Sequence, residues 1–252
     1  MRYFALIPAL MMPLSVAAQE LPPGLAGARL LPGWVDAAGN RITALQLDLE
    51  PGWKTYWRSP GDTGLPPHFD WEGSENLGAV ALHWPAPQAI ESGGAVEPGY
   101  HDRLVLPMTV TPADPGQPVQ IAAQIDLGLC ENICVPAFLT LTAPAPGGHD
   151  PVIQAAMDAV PQRLDDAPDC AVTDLSDGLR LSVALPGPAI LAAVELDGHP
   201  DVWVSGAELD DGRAVVDMVG PTAAPFDLPR EQVRVTVLSD DGTAVESWGC
   251  AG

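Results

Sequence analysis

Apolar and polar positions alternate with a period of two along most of this chain, the signature of half-buried β-strands. The clearest tract is 119–129, where Val119, Ile121, Ala123, Ile125, Leu127 and Leu129 share one face and Gln120, Gln124 and Asp126 take the other. A looser alternation runs through 30–50, where Ile42, Leu45, Leu47 and Leu49 interleave with Thr43, Gln46 and Asp48. Further short strands are predicted at 80–84, 104–110 and 138–142, and then at 179–185, 202–204, 214–219 and 233–238. Proline and glycine break these tracts at short intervals. With 28 prolines and 25 glycines the chain cannot hold many long helices.

One segment departs from the β pattern. Asp150 offers a capping carboxylate and Pro151 fits the first helical position, ahead of Val152, Ile153, Ala156, Met157 and Val160 at helical spacing. A short helix over 151–160 is therefore expected, the only substantial one in the mature chain. It follows Ala143-Pro144-Ala145-Pro146-Gly147-Gly148, which has the composition of a linker. The fold class read from these patterns is all-β: two tandem immunoglobulin-like β-sandwich domains with one short linking helix. The expected boundaries are 19–147 for the first domain and 148–252 for the second.

Residues 1–18 read as a cleaved secretory signal. Arg2 supplies the positive charge, the apolar run through Val16 is too short to span a bilayer, and Ala17-Ala18 provide a small-residue cleavage site. No later segment is apolar enough to cross a membrane, so no direct membrane insertion of the mature chain is expected. Export places the four cysteines where disulfides persist. The formal charge of −22 excludes nucleic acid as a partner, because there is no cationic stripe to displace its counterions; Lys54 is the only lysine. An anionic membrane surface is disfavoured for the same reason. There is no Gly-x-Ser-x-Gly turn and no phosphate-binding glycine loop.

The informative chemistry lies in Leu129-Cys130-Glu131-Asn132-Ile133-Cys134-Val135-Pro136. An extended strand would hold the two cysteines roughly 13 Å apart, beyond the ~4.4–6.8 Å Cα separation that a disulfide tolerates, so the chain must turn between them. Alternation on both sides favours a hairpin tipped by Glu131, Asn132 and Ile133, with one helical turn as the alternative. A disulfide closing so short a loop gains little from chain entropy, which makes exchange its better use. A structural staple and a metal site compete with that reading. Zinc or copper would want further ligands, and His68, His83, His101, His149 and His199 show no paired spacing. No metal and no cofactor is expected.

The Cys130–Pro136 run, together with Gly99-Tyr100-His101-Asp102-Arg103-Leu104-Val105-Leu106-Pro107 and Pro51-Gly52-Trp53-Lys54-Thr55-Tyr56-Trp57, resembles the N-terminal domain of DsbD, the thiol:disulfide interchange protein. It is closer to the ScsB-type branch linked to copper tolerance. The resemblance covers roughly 30–145. It implies a periplasmic immunoglobulin-like domain that takes electrons from a membrane-embedded donor and relays them to a periplasmic thioredoxin-fold oxidoreductase, as a component of protein-disulfide reduction. Cys130 and Cys134 are then the redox pair. By the same resemblance Cys134 attacks the partner and Cys130 resolves, and Glu131 beside Cys130 independently disfavours a thiolate there. The family's membrane and thioredoxin-like parts are absent from these 252 residues, so the donor is expected to be a separate protein. The shielding loop of the family aligns with 88–99, where this chain lacks the aromatic pair, so weaker shielding is expected.

Three further features have two readings each. Cys170 and Cys250 would close an 80-residue loop as a structural disulfide, or form a second redox site. Trp53, Trp57, Trp71 and Trp84 fill the core or form a docking surface. Arg103 pairs with a nearby carboxylate or stabilises a thiolate.

Overall fold

A computed structural model of the chain describes residues 21–62 and 64–252. The expected signal segment, 1–18, lies outside the described residues. The period-two tracts become strands, and these assemble into four sheets that pair as two sandwiches.

In the first sandwich one sheet has the order Leu25–Leu30, Arg41–Leu49, Arg103–Pro112, Leu77–Leu82, with Trp34–Val35 beside the second of these. The facing sheet has the order Cys134–Thr142, Ala122–Cys130, Lys54–Tyr56, Ala95–His101, Gln88–Ser92, with His68–Asp70 pairing onto the Ala122–Cys130 strand. Ala123, Ile125, Leu127 and Leu129 point inward and are buried, as their alternation requires, while Gln124 and Asp126 face solvent. Trp57 and Trp84 lie inside the core, and Trp53 and Trp71 pack against it. The tryptophans therefore fill the sandwich rather than offering a docking surface. Burying large aromatic side chains this way dominates the hydrophobic stabilisation of a small β-domain.

The second sandwich pairs a sheet of order Gln162–Arg163, Ala244–Trp248, Val233–Leu238, Leu191–Leu196 with one of order Cys170–Asp174, Leu179–Ala184, Arg213–Val219, Trp203–Val204. Glu208–Asp210 adds to the Arg213 strand. Leu181, Val183, Val194, Val216, Met218, Val233 and Val235 form its core.

The helix spans Pro151–Asp158, capped by the Asp150 side chain, which accepts from the Val152 N–H at 2.8 Å. It packs on the first sandwich: Ile153 is fully buried against Leu31, Ile42 and Ala44. This explains a departure from the expected half-buried strand at 42–49. Leu45, Leu47 and Leu49 face the sandwich core, and the opposite face of the same strand is covered by the helix, so nearly every residue from Arg41 to Leu49 is buried.

The two sandwiches touch. Ala193 of the second packs into the core of the first, and the Gly206 N–H donates to Asp62 Oδ1 at 3.0 Å. Beside these contacts runs a cleft of about 470 Å³, lined on one side by Gly94–Pro98 and on the other by Ile190–Val194.

Candidate functional site

The Cys130 hairpin takes the three-residue turn. Ala122–Cys130 and Cys134–Thr142 pair antiparallel in unbroken register from Ala122 opposite Thr142 to Cys130 opposite Cys134. The two cysteines form a disulfide with their Cα atoms 4.1 Å apart. Glu131, Asn132 and Ile133 make the tip, where Ile133 is 76 % exposed.

Because side chains alternate, residues directly opposite in register point to the same face. Both cysteines thus sit on the outer face of the sheet, opposite to Leu129 and Val135. Their environments differ nonetheless. Cys130 is 1 % exposed, whereas Cys134, on the edge strand, is open to solvent.

What buries Cys130 is the neighbouring strand. Lys54 stands opposite Cys130 in register, and Tyr56 follows two residues on, on the same face. The Tyr56 hydroxyl lies 3.0 Å from Cys130 Sγ and 3.1 Å from Cys134 Sγ. A disulfide sulfur has no proton to give, so the phenol is the donor and its one hydrogen is shared between the two sulfurs. The Tyr56 ring is itself 2 % exposed. It is held in a slot that only glycine leaves open: a Cβ on Gly128 would stand 3.0 Å from two Tyr56 ring carbons and 2.9 Å from Leu65 Cβ. A Cβ on Gly64 would meet the ring at 2.9 Å from the other side.

Next to the ring lies a buried ion pair. Lys54 Nζ is 2.5 Å from Glu97 Oε2, with both side chains under a tenth exposed, and 5.7 Å from the Tyr56 ring centroid. Burial, and after it the negative charge of Glu97, pushes the Tyr56 phenol above its usual pKa. Tyr56 therefore remains a hydrogen-bond donor at any physiological pH, suited to stabilising a thiolate when the disulfide opens.

The geometry chooses between the two readings of Arg103, adds a donor at the sulfurs and moves the expected shield elsewhere. Arg103 is on the other sheet and donates to Asp48 Oδ1 at 2.6 Å, so it takes the carboxylate-partner role and not the thiolate role. The donor at the sulfurs is Tyr56, which sequence reasoning did not single out for that purpose. The 88–99 segment, expected as the shield, is instead a β-hairpin of Gln88–Ser92 and Ala95–His101 tipped by exposed Gly93 and Gly94. The Lys54–Tyr56 strand separates it from the Cys130 strand. The segment that closes on the ring over the sulfurs is that of Gly64.

Cys170 and Cys250 also form a disulfide, with Cα atoms 5.5 Å apart and both residues buried in the second core. Among the described residues no group of three or more His, Cys, Asp or Glu is arranged to hold a metal ion. No helix among them is long and apolar enough to cross a membrane.

A disulfide on the outer face of an immunoglobulin-like sandwich, with one sulfur open and a phenol bridging both, is the arrangement that thiol-disulfide interchange requires. Residues 28–146 match the family model of the N-terminal domain of the thiol:disulfide interchange protein DsbD, so this part of the chain is similar to that family. The N-terminal periplasmic domain of ScsB from Proteus mirabilis has a similar structure, with a TM-score of 0.60 and 24 % identity over 89 % of this chain and 92 % of that one. That likeness extends across both sandwiches and shows a shared fold. No curated protein sequence matches the chain significantly.

Proposed function

We propose that this chain is a periplasmic relay of reducing equivalents, exported by a signal cleaved after Ala18. In this reading its first domain, 19–147, carries electrons from a separate membrane-embedded donor to a periplasmic thioredoxin-fold oxidoreductase. The observation that carries the reading is the asymmetry of the pair: Cys134 is open to a partner while Cys130 is buried beside it.

The chemistry follows from that asymmetry. In the dithiol form the Cys134 thiolate, held by the Tyr56 hydrogen bond, attacks one sulfur of the partner disulfide. A mixed disulfide forms and a partner thiolate leaves. Cys130 then gives up its proton and attacks Cys134 Sγ, which regenerates the Cys130–Cys134 disulfide and releases the second partner thiolate. Two electrons and two protons have passed to the partner. The donor's dithiol restores the pair by attacking the exposed sulfur, so both half-reactions use the same open face. Cys170–Cys250, buried and closing a long loop, acts as a staple of the second domain, 148–252.

Trapping tests the roles. Cys130→Ser should accumulate a mixed disulfide between Cys134 and a thioredoxin-fold protein supplied in its disulfide form, since the resolving thiol is gone. Cys134→Ser should trap far less. Equal trapping, or trapping by Cys134→Ser alone, would reverse the assignment.

A further inference from the structure

We propose that the second sandwich sets the reactivity of Cys134 through Arg58, a positioning residue that fixes the Tyr56 strand from its far end. The proposal rests on the reading of Cys130 and Cys134 as a redox pair and assigns that pair a controlling contact outside its own domain.

Five consecutive residues carry the argument. Lys54 is anchored to Glu97, Tyr56 reaches both sulfurs, and the Trp57 N–H donates to the Pro98 carbonyl at 3.1 Å while its ring is sealed in the first core. Arg58 then leaves the sheet and enters the second sandwich. Its Nε donates to both Glu195 oxygens, at 3.1 and 3.0 Å, and its Nη2 donates to Thr236 Oγ1 at 3.3 Å and to Glu246. The guanidinium carbon also stacks over the Trp57 ring, 4.0 Å from its centroid.

The receiving site belongs wholly to the second sandwich and is built for one cation. Thr236 stands opposite Glu246 in register, and Glu195 lies on the strand next to Thr236, so three adjacent strands present their acceptors on one face. Arg234 donates to Glu195 Oε1 at 2.7 Å and Thr236 Oγ1 to Glu246 at 3.2 Å, which fixes both carboxylates before Arg58 arrives. Arg58 and its two carboxylate partners are each less than a fifth exposed, so water screens this contact little.

A planar guanidinium held bidentate and stacked has little freedom. Tyr56, two residues earlier and with Trp57 packed between, inherits that rigidity. Its hydroxyl must stay within about half an ångström of its present place to keep a good hydrogen bond to sulfur. In the first sandwich alone the strand would be held at the Lys54 end and by the Trp57 ring and backbone. The sandwich contact adds a second fixed point beyond Tyr56, after Trp57.

The test is the pH profile of Cys134 alkylation by iodoacetamide in the full reduced chain, with the adduct at Cys134 read by mass spectrometry. Lys54, Glu97 and Glu131, the charged groups nearest the site, are unchanged in every variant. Tyr56→Phe should move the profile to higher pH and lower the rate at pH 7 by at least about threefold, because less thiolate is present. Arg58→Gln should move it in the same direction, and the double variant should match Tyr56→Phe alone, because Arg58 acts through that hydroxyl. Glu195→Gln, placed entirely in the second sandwich, should reproduce the Arg58→Gln shift in a smaller measure and serves if Arg58→Gln does not fold. The proposal is overturned if Tyr56→Phe shifts the profile while Arg58→Gln and Glu195→Gln do not, or if the Arg58 and Tyr56 effects add in full. A profile that Tyr56→Phe leaves unmoved removes the hydroxyl from the chemistry and the proposal with it. Trapping of a partner by Cys130→Ser is a separate readout, so failure here and failure of the relay reading are distinguishable.

Discussion

Cys130 and Cys134 stand directly opposite each other across a hairpin, yet one is sealed beneath Tyr56 and the other is open on an edge strand. A staple has no need of that difference. An exchange reaction does, since the attacking sulfur must meet a partner while the resolving sulfur must be kept from it.

The first expected outcome concerns access. In the reduced chain, Cys134 should be alkylated by a bulky maleimide well before Cys130, with about tenfold or more between the two rates, because reactivity follows exposure as well as thiolate character. Peptide mapping after short exposure gives the ratio. Equal labelling would show that Tyr56 and its cover do not shield Cys130.

The slot around Tyr56 predicts a glycine effect. Gly128→Ala places a methyl group within 3.0 Å of the Tyr56 ring and of Leu65. Overpacking of this kind costs on the order of 1–3 kcal/mol and displaces the ring. Thermal unfolding should show the loss, and the alkylation rate of Cys134 should fall with it.

Lys54 and Glu97 make a buried pair, so removing one partner is worse than removing both. Lys54→Met leaves a carboxylate buried without its lysine and should destabilise by about 3–5 kcal/mol. Lys54→Met combined with Glu97→Leu should recover much of that loss. Denaturant midpoints for the two variants decide it.

Alkali should act through the phenols. Outside the expected signal segment the chain has two tyrosines, Tyr56 and Tyr100. Burial raises both pKa values, aided at Tyr56 by Glu97, and Tyr100 also donates to the Pro85 carbonyl at 2.8 Å. A group whose folded pKa is raised contributes stability that is complete below its unfolded pKa, about 10, and lost as pH rises through the folded value. Ultraviolet titration of the folded protein without residues 1–18 should therefore show little phenolate at pH 10, where the unfolded chain is about half ionised, and the protein should weaken above that pH. Ordinary titration near 10 would contradict the packing described around both rings.

The hairpin was legible in the sequence because alternation continues on both sides of Cys130 and Cys134, although the spacing alone also allowed one helical turn. The helix was legible from Asp150 and Pro151, but not its seat: nothing local says that Ile153 covers the back of the Arg41–Leu49 strand. Tyr56 escaped notice as a site residue because it reaches the sulfurs through the pairing of strands 74 residues apart, and such pairing leaves no mark in either segment. Lys54, the single lysine of a chain with a formal charge of −22, was the available signal. A lone cation inside an aromatic tract is more telling than one in a basic run. Arg58 carried no signal at all, since its partners lie in the other sandwich.

The central claim is that Cys130–Cys134 cycles, and its reduction potential tests that most directly. Equilibration of the full chain against glutathione and dithiothreitol couples, with the state of this pair read by mass spectrometry, should place it above about −300 mV, within reach of periplasmic thiol donors. A value well below about −300 mV, in the range of structural disulfides, would make the bond a staple and contradict the relay.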